Sequence, residues 1–237
     1  ILWWPSIQIV LWGFFSSFLD NQNISPYSSV SVLLTAVILW DILFRGQLGL
    51  SITFFEEIWS RNLCHLFITP IKNIEIVVGL IFTSLIRTII GLIPAIFISI
   101  YYFNLEFFSL GFYLIFFFFN LILTGWSIGF LVSGLVLRYG QAYEELAWVF
   151  IFLLLPFSCV YYPLSSLPNF IQEISIFISP VYVFEGMREI LINKSLNVII
   201  LIKAIMLNLV YIVISVIFFN RMIEKTKESG KLLNYGE

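Results

Sequence analysis

Charge is scarce in this sequence. Of 237 residues, 11% are Asp, Glu, Lys or Arg, where a soluble domain carries about 25%. Histidine occurs once, at His65, and cysteine twice, at Cys64 and Cys159. A single histidine argues against a His-based metal site. Two cysteines in separate segments give no disulfide framework. A net charge of −2 offers no basic surface for nucleic acid. Paired carboxylates, a His cluster and an activated nucleophile are all missing, so the sequence supplies no catalytic residues and no metal site, and it does not read as an enzyme.

What fills the space is apolar. The hydrophobic fraction is 60%, with 26 Phe, and the mean hydropathy is +1.01. Several charge-free runs reach about 18 residues or more, which predicts an all-α integral membrane protein rather than a barrel. The runs form one transmembrane domain over 1–237. Six spans are predicted, at about 2–19, 29–50, 74–102, 107–137, 146–163 and 196–219. Residues 1–19 lack a basic n-region and a small-residue cleavage site, so they read as a retained span. Span four is longer than a bilayer needs and is expected to tilt or protrude. Residues 164–192 are punctuated by Pro168 and Pro180 and carry scattered charge. They read as short re-entrant or interfacial helices. A charged tail covers 221–237.

The main polar interruption runs from Phe55 to Glu75. On a helix over 55–68, residues Glu56, Glu57, Ser60, Arg61, Cys64 and His65 share one face. Phe55, Ile58, Trp59, Asn62, Leu63 and Leu66 take the other. That pattern predicts an amphipathic helix lying on the membrane surface. Thr69-Pro70 ends it, since Pro70 lacks an N–H and restricts the residue before it. With this helix inside, Arg45, Arg61, Lys72, Arg138, Arg221, Lys225, Lys227 and Lys231 fall inside, against Arg188 and Lys194 outside. The bias places both termini on the cytoplasmic side.

Four ionisable residues sit within predicted spans: Asp41, Arg45, Arg87 and Lys203. Asp41 and Arg45 are four apart and able to pair. Arg87 either meets an anionic substrate group or pairs with Asp41, and the pair is preferred. Lys203 is placed to snorkel outward, with Glu185 or Glu189 as partners. Gly125, Gly129 and Ser133 recur at four-residue spacing and mark a close helix approach, either a dimer seam or a contact within the chain. The aromatics either face lipid and form interfacial belts or line a substrate path; Tyr161 and Tyr162 are the pair to test for the path.

Three motifs carry a resemblance: Leu66-x-x-Thr69-Pro70-Ile71-x-x-x-Glu75; Pro180-Val181-Tyr182-Val183-Phe184-Glu185-Gly186-x-Arg188; and Trp4-Pro5 with Leu11-Trp12-Gly13. Together with six spans in this order, they resemble the membrane subunit (permease) of type-2 ABC transporters, the exporters of polysaccharides, lipids and drugs. The resemblance implies a second permease copy, two cytoplasmic ABC ATPase subunits, and residence in a bacterial inner membrane among its lipids. It makes the 55–68 helix a coupling helix, with Thr69, Pro70 and Glu75 as its turn. The chain has no Walker A motif: Gly230-Lys231 is followed by Leu232, and Lys225 stands where the first glycine belongs. ATP and Mg are therefore expected on the partner subunit, with no cofactor on this chain. The competing readings are an ion-gradient-driven secondary transporter and a non-transporting membrane scaffold.

Overall fold

The computed structural model describes residues 3–21, 30–105, 107–194 and 197–229, and no strand occurs among them. Among the described residues nine α-helices follow in order: α1 Trp3–Asn21, α2 Val30–Trp59, α3 Leu63–Ile68, α4 Asn73–Phe103, α5 Tyr113–Tyr139, α6 Leu146–Phe157, α7 Asn169–Ser175, α8 Ser179–Arg188 and α9 Val198–Glu228. The loop before α2 and the tail from 230, with Lys231, lie outside the described residues.

Among the described residues, four helices are long and apolar enough to cross a membrane: α2, α4, α5 and α9. Two expected spans fall short. α1 has 19 residues, but Ser6, Gln8, Ser16 and Ser17 dilute its hydrophobicity. α6 has 12 residues, about 18 Å of rise, against a hydrocarbon core of about 30 Å. It ends at Phe157 rather than 163, because the chain turns at Ser158 and Cys159, where Cys159 takes a φ of 55°. The region 164–192 is a set of short helices, as its prolines suggested: a 3-10 turn, α7, α8 and a π-helical turn over Glu189–Asn193. α9 runs nine residues past the expected end of span six, so the first part of the tail is helical.

α2 is the axis of the bundle. It packs on α5 and α4 and also touches α1, α6 and α8, while α9 packs along α5 and sets Phe219 against Phe54 of α2. Most of α2 is therefore buried. α4 and α9 turn Phe82, Ile86, Ile93, Met206, Leu209 and Val213 outward. Such exposed apolar faces suit lipid.

The α2–α5 contact depends on two glycines. A Cβ on Gly125 would lie 2.6 Å from the Leu43 carbonyl oxygen and 2.8 Å from the Gln47 nitrogen. At Gly129 it would lie 3.2 Å from the Gln47 oxygen. The small-residue repeat is thus a seam within the chain, with Ser133 fully buried beyond it. Polar bonds tie the helices further. The Ser84 hydroxyl donates to the Gly46 oxygen at 2.8 Å, and Trp126 Nε1 donates to Ser84 at 3.0 Å, joining α2, α4 and α5. Asn208, which breaks the hydropathy of α9, donates to Asn120 and accepts from Thr124. In hydrocarbon such groups need internal partners, and here they have them.

Candidate functional site

No single helix spans 55–68. α2 continues through Trp59, since Ser51 to Trp59 contains no Gly or Pro, and its 30 residues rise about 45 Å. The last turns project beyond the hydrocarbon, where Glu56 and Glu57 are tolerable. Ser60 to Asn62 break the chain, with Arg61 at a φ of 57°, a left-handed conformation that costs a non-glycine residue about 1 kcal/mol. α3 then begins on a new axis. The two pieces keep the expected polarity in part. Phe55, Ile58 and Leu63 are buried, while Glu56, Ser60, Arg61 and His65 are exposed and Glu57 is half-buried. Trp59 departs from the pattern: it is half exposed, and its Nε1 donates to Glu144 at 2.9 Å. The side chain of Cys64 lies outside what is described.

The Thr69-Pro70 turn leads into α4 through a capping box. Glu75 accepts from the Lys72 backbone N–H at 2.9 Å, satisfying a helix-end donor that has no partner within the helix. This gives the Glu of the motif a local structural reason. Further bonds gather this end of the bundle. Arg138 donates to Ser229 at 3.0 Å, and Lys227 reaches Asn73 at 3.5 Å. Arg61, Lys72, Arg138, Arg221, Lys225 and Lys227 all belong to this end.

Above it a cleft of about 510 Å³ opens between α1, α2, α4 and α6. Phe44, Trp148 and Phe152 form an aromatic wall, with ring centroids 6.0 to 6.4 Å apart, and Trp4 stands at the mouth. The charged lining is Arg45, Arg87 and Glu56. Arg45 Nε donates to Asp41 Oδ2 at 2.5 Å. That pair was foreseen from the spacing, but Arg45 lies inside α2 and does not belong among the inner-loop charges.

Arg87 does not pair with Asp41. It reaches along α4 to Glu56, at 2.7 and 3.2 Å. The reason is that α2 extends far enough to carry Glu56 to the same cleft, while Arg45 already holds Asp41. Gly91, one turn beyond Arg87, receives the Arg45 guanidinium: a Cβ there would lie 2.3 Å from Nη1. Both guanidinium groups therefore border the same stretch of α4.

The remaining expected residues lie elsewhere. Lys203 meets neither Glu185 nor Glu189; its ammonium lies 5.9 Å from the Tyr182 ring centroid, a cation–π distance. Glu185 is taken by Arg188 at 3.0 Å and by the Leu164 N–H at 2.8 Å. Glu189 accepts from the Asn197 N–H. Arg188 is 3% exposed and also donates to the Cys159 and Val160 carbonyls. It locks α8 to the turn after α6, a role its loop-like setting in the sequence did not disclose. Tyr161 stacks on Trp12 at 4.4 Å, and Tyr162 donates to the Pro156 oxygen at 2.5 Å. Neither lines the cleft. A second, wider cleft of about 980 Å³ at the opposite end involves Thr35, Asn104, Tyr113 and Lys194. Among the described residues of its lining, no opposed pair of ions stands.

The cleft residues had a sequence signal. Asp41, Arg45, Gly49, Ile52 and Glu56 follow at spacings of four, four, three and four, one stripe of a helix. Ending α2 at residue 50 hid it. No protein-family model matches the chain, and no curated protein matches it.

Proposed function

We propose that the chain is the membrane permease of an ATP-driven exporter of the type-2 ABC class, working with a second permease copy and two ATPase subunits that carry ATP and Mg. Its cargo is a glycan, lipid or hydrophobic small molecule moved outward from the cytoplasm or inner leaflet of a bacterial inner membrane. The observation that carries this reading is the ledge at the α2–α3 break. There Glu57, Ser60, Arg61 and His65 stand beside Ile68, 81% exposed, and the Thr69-Pro70 turn. An apolar side chain that open, on a stretch that also exposes charge, is the composition of a docking surface. The ledge sits at the end rich in Lys and Arg, which supports a cytoplasmic position for it.

The test is purification of the tagged chain from native membranes, followed by ATP hydrolysis and export assays in vesicles. ATPase activity is expected to accompany the chain. Glu57→Ala with Arg61→Ala is expected to lower coupled export about tenfold, the equivalent of about 1.4 kcal/mol of docking energy. Transport by an ion gradient without ATP would replace this reading with a secondary transporter. Purified chain that moves nothing would leave a scaffold.

A further inference from the structure

The cleft between α1, α2, α4 and α6 has two properties seldom found together at a lipid-facing surface. Its wall is apolar and aromatic, and Trp4, Trp148 and Phe152 are each between 43% and 56% exposed. Its floor holds two guanidinium groups, each already paired: Arg87 with Glu56 in the lining, and Arg45 with the buried Asp41 behind it. We propose that it binds one molecule of a zwitterionic phospholipid from the surrounding bilayer. The phosphate meets the guanidinium groups of Arg45 and Arg87, the ammonium meets Glu56, and a hydrocarbon chain lies along Phe44, Trp148 and Phe152. This deepens the export reading by naming a class of molecule the cleft takes, and rests on that reading only for the idea that the molecule is moved.

Charge balance selects the headgroup. A guanidinium offers five N–H donors. Arg45 gives Nε to Asp41, and Arg87 gives Nη1 and Nη2 to Glu56, so both arginines have donors left. The Glu56 side chain is 46% exposed and open to a cation. Charge is already balanced there: Glu56 in the lining and the buried Asp41 behind it match the two arginines. A net anion entering this low-dielectric site would add an uncompensated charge, and burying such a charge is costly. A zwitterion adds none, and each of its ends finds an opposite partner. A neutral headgroup would leave the spare guanidinium donors without acceptors after water is expelled, which is also unfavourable. Gly91 completes the arrangement, because any larger residue there would push against the Arg45 guanidinium, 2.3 Å from the Cβ position.

Native mass spectrometry of the purified full chain, titrated with phosphatidylethanolamine, phosphatidylglycerol and diacylglycerol of matched acyl chains, tests this. Phosphatidylethanolamine is expected to bind about tenfold more tightly than either of the others, the scale of a hydrogen bond to a charged group. Glu56→Gln with Arg87→Gln keeps the cleft neutral and is expected to erase the preference. Glu56→Gln alone changes one partly exposed side chain and leaves Arg87 uncompensated, so the preference is expected to swing to phosphatidylglycerol. Wild-type protein that binds the anionic or the neutral lipid as tightly as the zwitterionic one overturns the proposal. So does a Glu56→Gln protein that still prefers phosphatidylethanolamine. No ATPase enters this measurement, so its failure leaves the export reading standing, and loss of coupled export leaves the cleft's selectivity standing.

Discussion

Two faces of α2 meet opposite surroundings. Toward α5, Leu43, Gly46, Gln47 and Leu50 touch a helix brought close by Gly125 and Gly129. Toward α4 and α6, Phe44, Arg45, Leu48 and Glu56 line a cleft that no helix fills. The first face gains from dispersion between closely fitted surfaces, the main source of helix association in lipid. The second carries Arg45 and Glu56 where no neighbouring helix displaces them, and they are held by pairing with Asp41 of α2 and Arg87 of α4. A helix with one face sealed and the other open is a rigid post beside an adaptable site. The difference predicts that the seam fails by steric overlap, while the cleft fails by leaving a charge alone.

The largest effect is expected in the cleft, at its deeper pair. Asp41 is 2% exposed. Arg45→Leu removes its only ion-pair partner among the described residues and is expected to destabilise the protein by about 3–5 kcal/mol, the range for breaking a buried ion pair. Asp41→Asn added to Arg45→Leu is expected to recover most of that loss. SDS-titrated unfolding of the purified protein reads both. If Arg45→Leu alone is neutral, the pair is not what holds that face.

The seam comes next. Gly125→Ala places a methyl against backbone atoms of α2, which have no rotamer to change. The helices must separate, at about 1–3 kcal/mol. Gly129→Ala meets its neighbours at 3.1 to 3.2 Å and is expected to cost less. Equal unfolding midpoints for the two variants and the wild type would show that the seam yields freely.

The shallower pair is expected to matter little for stability. Arg87 and Glu56 are 31% and 46% exposed, so solvent weakens their attraction. Replacing both by Leu should change stability by no more than about 1 kcal/mol. The same variant is expected to abolish lipid headgroup preference. Stability and selectivity thus separate within one cleft, and a large loss of stability here would merge them again.

The contrast between these faces was only partly visible in the sequence. The apolar runs marked α2, α4, α5 and α9 because hydropathy reports the solvent of each helix directly. Asp41 and Arg45 were legible because their i, i+4 spacing is local. The Gly125, Gly129, Ser133 repeat announced a close contact without naming the partner, since a small residue carries no mark of what approaches it. The sequence pattern misplaces Glu56, because its charge reads as the start of a new element. Lacking a Gly or Pro to stop it, α2 simply continued out of the hydrocarbon. With span two ending at residue 50, Asp41 is the one carboxylate in it for Arg87 to meet. The lining by Trp148 and Phe152 depends on how α6 leans against α2, which no local pattern encodes.

Gly79 provides the sharpest control for the seam, because it is the same residue type with the opposite surroundings. It lies in the second turn of α4, and a Cβ built there meets nothing within 4 Å. Its oxygen accepts from the Thr83 hydroxyl at 2.9 Å, a bond that alanine would leave intact. Gly79→Ala therefore adds no overlap. It lowers the conformational freedom of the unfolded chain and raises helix propensity, together worth up to about 1 kcal/mol of stabilisation. The two alanine substitutions should move the unfolding midpoint in opposite directions, Gly125→Ala down and Gly79→Ala level or slightly up. Both glycines are helical, so propensity acts alike on each and only the neighbouring atoms differ. A Gly79→Ala protein as destabilised as Gly125→Ala would mean that another surface covers this part of α4 in the membrane. Face-to-face contact with a second copy of this chain would account for it.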